Sequence, residues 1–230
     1  EAANFAGLRQ AGVNRLSLGV QSFDDAKLAA LGRIHDGETA RKAVETALDA
    51  GFDRINLDLM YALPGQTVEQ AEADLATAIG LGANHISWYQ LTLEPNTVFW
   101  SRPPEGLPDE DAIADIEAAG HERLRAAGFE RYEISAWHRG TATRCDHNLN
   151  YWRFGDYLGI GAGAHGKLTL PMEGAIERRA KTRAPKDYLT HARGAERIAE
   201  RRRLSAADAA FEFLLNALRL PGGFEPAQFT

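Results

Sequence analysis

Two stretches in the first half of the chain place apolar side chains three and four residues apart, the spacing of one face of an α-helix. The first follows Asp36, and the second follows Thr67, with Gln70 placed to complete a capping box. We therefore predict two amphipathic helices behind these caps. Their apolar positions are Ala40, Ala43, Val44, Ala47 and Leu48, and then Ala71, Leu75, Ala78 and Ile79.

A glycine that precedes a short, largely apolar run recurs at Gly12, Gly51, Gly82 and, in a weaker form, Gly128. Each glycine is suited to end a helix, because a residue without Cβ adopts positive φ at little cost. The intervals of 39, 31 and 46 residues between them suit a strand followed by a crossover helix. The repeat predicts parallel βα units, each of which begins with a short strand.

Each of the first three strands ends in a polar residue, although a buried parallel strand should be nearly all apolar. Gln21, Asp58 and Gln90 each follow a short apolar run directly. In barrel-like βα proteins the ligand binds at the carboxyl ends of the strands, so the three residues predict a polar site there. The alternative is that each residue merely caps the helix that follows it.

One arginine and one basic run have more than one interpretation. Arg33 follows the first short helix and is suited to bind a carboxylate, although a surface salt bridge with Asp36 or Glu38 is equally compatible with the sequence. Residues 176–203 carry ten Lys or Arg against four acids. We interpret this run as a solvated helical face, with an anion-binding patch as the alternative.

Residues 145–166 combine side chains that rarely occur so close together. This segment holds one thiol, Cys145, and two imidazoles, His147 and His165. It also holds flat side chains and a series of glycines, which suit a large flat or charged ligand. These are Tyr151, Trp152, Phe154, Gly159, Gly161 and Gly163.

The composition is that of an ordinary globular protein, with 230 residues, 44% hydrophobic and 25% charged. No apolar run approaches the ~20 residues that cross a bilayer, and no leader precedes Gly7, so we expect a cytoplasmic protein. The single cysteine excludes an internal disulfide and a self-contained zinc or iron–sulfur cage. The formal net charge of −6 argues against general nucleic-acid binding.

Four longer motifs follow one another along the chain: GVQSF at residues 19–23, NLDLMYALPGQT at 56–67, SWYQLT at 87–92 and HNLNYW at 147–152. Together they resemble the radical S-adenosylmethionine proteins related to oxygen-independent coproporphyrinogen III oxidase. The last motif resembles the heme-chaperone branch of that family, HemW. The likeness extends from about residue 11 to residue 220.

The resemblance implies S-adenosylmethionine contacts at Gln21, Arg33 and Asp58, which the pattern of polar residues also marks. Asp58 would accept hydrogen bonds from ribose hydroxyls, Arg33 would pair with the methionyl carboxylate, and Gln21 would bridge polar groups between them. The family also carries a [4Fe-4S] cluster, which in its reduced form splits the sulfonium and forms a radical.

For the second half of the chain, the resemblance implies contact with heme. His147 would be an axial ligand of the heme iron, and Tyr151 and Trp152 would lie against the macrocycle. Cys145 is a second candidate ligand. We expect His165, which lies among small residues, to line the cofactor site; simple packing is the alternative.

The chain departs from the family pattern because the three closely spaced cysteines of the cluster motif are absent, as are a glycine-rich segment and an acidic residue after earlier strands. We therefore expect an α/β fold that holds the last three βα units of a TIM-like (β/α)6 barrel, with a C-terminal α+β extension. Such a fragment would neither hold the cluster nor cleave S-adenosylmethionine by itself. The predicted domains are half a barrel at 1–136, a segment that closes the cofactor and heme sites at 137–204, and the start of a helical domain at 205–230.

The sequence is compatible with three functions. The HNxxYW pattern favours a chaperone that delivers heme to acceptor proteins, some of them membrane-associated. The second is an enzyme that decarboxylates coproporphyrinogen III, and the third is a nonenzymatic interaction module. In the second, the propionates would bind Arg178, Arg179, Lys181 and Arg183. An apolar helix face near the C-terminus would tend to associate, which leaves a homodimer open; it consists of Phe211, Leu214, Leu215 and Leu218.

Overall fold

The computed structural model describes residues 2–140, 143–191 and 194–228. The chain forms two compact units, Glu1–Arg144 and Cys145–Thr230. The domain boundaries at residues 136 and 204 remain predictions. The elements of the first unit are α1 (Phe5–Gln10), β1 (Leu16–Gln21), α2 (Asp25–Ala30), α3 (Gly37–Asp49), β2 (Ile55–Tyr61), α4 (Val68–Gly80), β3 (His85–Gln90), α5 (Val98–Ser101), α6 (Glu110–Ala126), β4 (Glu130–Glu133) and β5 (Ala136–His138). Those of the second are α7 (Asp146–Trp152), β6 (His165–Leu170), β7 (Ala175–Lys181), α8 (Pro185–Thr190), β8 (Ile198–Arg203) and α9 (Ala206–Ala217).

The first unit contains the predicted parallel βα units. Its sheet has the order β1-β2-β3-β5-β4, and β1, β2 and β3 are parallel neighbours. Both predicted helices begin at their predicted caps. The side chain of Asp36 accepts from the amide of Thr39 at the start of α3, and Thr67 and Gln70 form a complete capping box at the start of α4. The predicted α/β class is confirmed.

The glycine repeat marks helix ends as predicted, but the fourth unit differs from the other three. Gly51 and Gly82 follow α3 and α4 with φ of 83° and 82°, values that favour glycine. After Gly128, β4 runs in the same direction as β3 without pairing with it, because β5 lies between them and is antiparallel to both. The apolar pattern predicts a strand after Gly128 but does not specify its neighbours.

Helix α6 packs closely against the sheet at Gly120. A Cβ on this residue would lie 1.9 Å from the Trp88 ring, so the ring occupies space that any other residue would fill. Glycine inside a helix costs about 1 kcal/mol relative to alanine. Burial of Trp88, which is 3% exposed, offsets that cost.

The second unit contains a three-stranded antiparallel sheet in the order β6-β7-β8. The prediction of a basic helical face at residues 176–203 is wrong, because most of these arginines lie on β7 and β8. Arg178 lies opposite Arg202, and Arg179 lies opposite Arg201. Such like-charged pairs repel. Glutamates balance them: Glu212 on α9 binds both Arg178 and Arg202, and Glu177 binds Arg179.

Helix α9 begins at a capping box formed by Ser205 and Asp208. It buries Phe213 and Ala217 and leaves the predicted apolar face exposed, with Phe211 at 67% and Leu215 at 62%. The association expected of this face remains a prediction. Within the described ranges, no helix combines the length and apolar character that crossing a membrane would require.

Candidate functional site

Alternate residues of the three parallel strands form a polar face on one side of the sheet. Residues of the other parity, such as Leu57, Leu59 and Ile86, are fully buried in the apolar core. Because the parallel strands are in register, polar residues of neighbouring strands lie side by side. We use the term polar face for Ser17, Asn56, Asp58, His85, Ser87 and Tyr89.

The prediction that polar residues end the three strands is correct for Gln21 and Gln90 and wrong for Asp58. Strand β2 continues to Tyr61, so Asp58 lies at its centre. The strand continues because its alternate residues remain apolar and buried. Gln90 is exposed and has the parity opposite to that of Tyr89, so it is not part of the polar face.

Gln21 is held in an unusual conformation at the end of β1. Its φ is 70°, in the left-handed region that non-glycine residues seldom adopt, and its side chain is 6% exposed. The Tyr89 hydroxyl donates to Gln21 Oε1 at 2.8 Å. Gly19 leaves the space, since a Cβ there would lie 3.0 Å from Gln21 Nε2. Because its oxygen is occupied by Tyr89, the Gln21 amide can present its NH₂ group as a donor to a ligand.

The Asp58 carboxylate is bound through both oxygens to neighbours on the polar face. Ser17 Oγ donates to Asp58 Oδ2 at 3.0 Å, and Asn56 Nδ2 donates to Asp58 Oδ1 at 2.8 Å. The same Asn56 amide nitrogen donates to Ser17 Oγ at 2.7 Å. An ionised carboxylate has about four acceptor positions, so each oxygen of Asp58 can accept a further hydrogen bond from a ligand.

Behind Asn56, the network continues through a buried histidine. His85, 1% exposed, lies with Nδ1 2.6 Å from Asn56 Oδ1 and Nε2 2.8 Å from the Tyr132 hydroxyl. Burial, followed by the charges of Arg15 and other neighbours, lowers the pKa of His85 to about 3. The ring is therefore neutral, with one nitrogen that donates and one that accepts.

Arg33 is exposed, and neither of its predicted acidic partners binds it. Asp36 caps α3, and Glu38 pairs with Lys42 at 3.3 Å. The charge of Arg33 does reach the polar face, because it acts to lower the pKa of Tyr89. Burial and the Asp58 charge outweigh it and raise that pKa. Gln21, Asp58 and Arg33 therefore all act on one residue, Tyr89.

Sequence reasoning missed the residues that connect this site. Ser17, Asn56, His85 and Tyr132 were not marked, although all four lie within strands that the glycine repeat predicts. The first three can be recognised because polar side chains occupy alternate positions of each strand. They therefore lie on the same face of the sheet as the polar side chains of the neighbouring strands. Tyr132 gives no such signal, because its contact with His85 joins residues 47 positions apart.

In the second unit, the predicted heme residues lie on and next to α7. His147 is exposed, and its ring meets Tyr151 edge-on, with centroids 4.8 Å apart. Tyr151 meets Tyr157 in the same way at 4.6 Å. The three rings form a series that begins at the exposed imidazole; we call it the aromatic series. Cys145 is half-buried at the N-cap of α7.

The two faces of Trp152 are not equally available. The Arg219 guanidinium lies over the ring, 4.2 Å from its centroid, so one face is covered. The indole N–H is buried and has no hydrogen-bond partner in the described part of the chain. A buried N–H without an acceptor is costly. The contact that holds the Trp152 ring is thus the cation–π contact with Arg219, and not a hydrogen bond of its N–H.

His165 lies on β6, opposite Ala180, at a cleft of about 320 Å³. The cleft is also lined by Tyr157, Arg178 and Arg202. Arg178 donates to the Tyr157 hydroxyl at 2.7 Å and to Glu212 at 2.6 Å. The predicted binding of propionates by four basic residues is thus weakened. Arg178 and Arg179 are held in ion pairs, which leaves Lys181 and Arg183.

The residues of this chain do not fit an iron–sulfur cluster. The sequence has one cysteine, whereas such clusters are held by several thiolates. Within residues 2–140, 143–191 and 194–228, no group of three or more His, Cys, Asp or Glu side chains is arranged to hold a metal ion. The polar face, with its carboxylate and amide, fits a polar organic ligand instead.

Residues 3–78, which contain Gln21, Arg33 and Asp58, match the sequence model of the radical SAM superfamily. Residues 3–78 therefore form part of a radical SAM domain. Members of this superfamily use S-adenosylmethionine and an iron–sulfur cluster. Strands β1 and β2, with their part of the polar face, lie within these residues.

Several curated relatives extend the match to nearly the whole chain. It is 50% identical over 220 residues to the heme chaperone HemW of Escherichia coli and 53% identical to that of Haemophilus influenzae. Both alignments cover 96% of this chain and 56% of the relative. The chain therefore spans a little over half the length of these relatives.

A solved structure supports the fold. Coproporphyrinogen III oxidase (HemN) from Escherichia coli, described as a radical SAM enzyme, matches with a TM-score of 0.75. The match covers 96% of this chain and 52% of that one, at 22% sequence identity. At that identity the match shows that the two chains share a fold and does not extend to the reaction.

Proposed function

We propose that this chain is part of a heme chaperone, with an S-adenosylmethionine site in its first unit and a heme contact in its second. The identity of 50–53% to HemW proteins supports the proposal, as does the exposed His147. That imidazole is the observation on which the heme function rests. It is held edge-on by Tyr151 and has no hydrogen bond within the described residues, so both ring nitrogens are free for a ligand.

The S-adenosylmethionine site would use Asp58, Gln21 and Arg33. Asp58 would accept from the ribose hydroxyls, since each of its oxygens keeps acceptor capacity beside Ser17 and Asn56. The Gln21 NH₂ group would donate to the ligand. Arg33, exposed and without an acidic partner among the described residues, would pair with the methionyl carboxylate. S-adenosylmethionine supplies radical chemistry when it is bound next to a reduced cluster.

Heme titration followed by absorbance tests the second site. In the intact protein, His147→Ala should weaken heme binding about tenfold or more and change the Soret band, since an axial ligand is lost. His191→Ala is the matched control, because His191 is a partly exposed histidine of the same unit and pairs with Glu196. An unchanged affinity and spectrum in His147→Ala would refute the assignment of His147 as a ligand.

The proposal includes delivery of the heme to acceptor proteins. The oxidase alternative is less well supported, because two of its four candidate propionate ligands are held by glutamates. Robust conversion of coproporphyrinogen III by the reconstituted intact protein would favour the oxidase. The alternative of an inert interaction module is disfavoured by the polar face, since a purely structural sheet gains nothing from a bonded carboxylate there.

A further inference from the structure

The orientation of the Asp58 carboxylate depends on which way the Asn56 amide points. In the observed orientation, Asn56 donates to Asp58 and accepts from His85 and Ser87 through Oδ1. The reversed amide would bring Oδ1 against the carboxylate, which repels it, and Nδ2 against a donor at His85. One orientation therefore satisfies every partner, and it requires that His85 carries its proton on Nδ1.

A proton on Nδ1 leaves His85 Nε2 able to accept from Tyr132. The tyrosine hydroxyl lies 2.8 Å from His85 Nε2, and a phenol that donates to Nε2 leaves Nδ1 as the protonated nitrogen. Tyr132 is 8% exposed and His85 is 1% exposed, so water is largely excluded as a substitute donor. Three hydrogen bonds thus connect Tyr132 to Asp58 through His85 and Asn56.

We propose that Asn56, His85 and Tyr132 are positioning residues, which hold the Asp58 carboxylate in one orientation for ligand binding. This inference rests on the proposed S-adenosylmethionine site. Tyr132 is three hydrogen bonds away from Asp58, and none of the hydrogen bonds described above joins the two directly. The neutral ring of His85 supports the assignment, because an imidazolium would have no acceptor nitrogen for Tyr132.

The variant Tyr132→Phe tests the proposal, since it removes one hydroxyl and keeps the ring. We expect it to weaken S-adenosylmethionine binding to the intact protein about tenfold, measured by equilibrium dialysis. Tyr61→Phe is the control. Tyr61 is also buried in the first unit, and its hydroxyl makes no hydrogen bond in the described part of the structure. Equal effects of the two variants would overturn the proposal.

A double-mutant cycle separates positioning from a general structural effect. In an Asp58→Ala background, Tyr132→Phe should change binding by less than about twofold, because the residue through which it acts is gone. A merely structural contribution would persist, and a full tenfold effect in that background would contradict the proposal.

Ring nitrogen spectra of His85 give a readout that needs no ligand. We expect the Nδ1-protonated tautomer in the wild type and a shift toward the Nε2-protonated form, together with a changed Asp58 carboxyl ¹³C signal, in Tyr132→Phe. An Nε2-protonated wild type, or an unchanged Asp58 signal, would overturn the inference. If the wild type instead shows the expected spectra but binds no S-adenosylmethionine, the proposed function fails while the hydrogen-bond chain stands.

Discussion

The two units stabilise their polar groups in different ways. On the polar face, neutral side chains hydrogen-bond to one another and to one carboxylate, so their orientations are mutually determined. In the second unit, arginines of the sheet form ion pairs with glutamates of β7 and α9, whereas His147 projects from a short aromatic series. A bonded neutral network fixes a site before the ligand arrives. The ion pairs hold the fold and leave the candidate ligand unconstrained by hydrogen bonds.

Lys167 does not follow this contrast, because it is a buried charged residue of the second unit. All three of its ammonium protons are hydrogen-bonded. Its Nζ donates to Phe154 O at 2.9 Å, Asp156 Oδ1 at 2.8 Å and Thr169 Oγ1 at 3.2 Å. We expect Lys167→Met to destabilise the protein by about 3 kcal/mol, because it leaves acceptors without a donor. Urea unfolding followed by circular dichroism measures this effect.

The exposed Lys186 on α8 provides the control for that experiment. Lys186→Met should change the free energy of unfolding by less than about 0.5 kcal/mol. If Lys167→Met were equally mild, the second unit would not depend on a buried polar anchor, and the contrast between the units would be stronger than we describe.

The free energy of unfolding should depend on pH differently in the two units. The pKa of His85 is about 3 in the fold against 6.5 for an ordinary histidine, so between these values the unfolded state binds the proton and the folded state does not. Stability contributed by the neutral ring is complete above about pH 6.5 and is lost as the pH falls. Between about pH 7 and pH 4 the loss is about 3 kcal/mol.

The corresponding carboxylate of the second unit responds at lower pH. Burial would raise the pKa of Asp156, but hydrogen bonds from Lys167 and Thr169 outweigh it and hold this pKa below 3.8. Its contribution is present above that value and is lost only below it. As the pH is lowered from about 7 to 4, the urea midpoint of the wild type should fall. In His85→Phe the midpoint should depend less on pH over the same range. A His85→Phe curve parallel to that of the wild type would contradict the assignment.

Local patterns in the sequence predict the elements better than their pairing. The caps at Asp36 and Thr67 and the helix-ending Gly51 and Gly82 depend on residues a few positions apart, so the helices and parallel strands can be predicted from them. The insertion of β5 beside β3 depends on contacts about 50 residues apart, such as that between His85 and His138. Apolar periodicity carries no information on such partners.

The candidate site divides in the same way. Gln21 and Asp58 stand out because they are polar within apolar runs, and Arg33 stands out through the family resemblance. Asn56 lies beside Asp58 in the same strand but is recognisable only once Ser17 and His85 are known to flank it, 39 and 29 residues away. A hydrogen-bond network joins strands that are distant in sequence, so its members become evident only when the sheet register is known.

The smallest expected change in the free energy of unfolding comes from removing one tyrosine hydroxyl in each unit. Tyr157→Phe removes the acceptor of an Arg178 N–H, but Arg178 remains bound to Glu212 and the ring keeps its contact with Tyr151. We expect a loss of about 0.5–1 kcal/mol from Tyr157→Phe. Tyr132→Phe should cost about 1–3 kcal/mol, because it leaves the buried His85 Nε2 without its donor. Urea unfolding of both variants measures the difference, and equal losses would mean that the ion pairs of the second unit constrain their partners as strictly as the neutral network does.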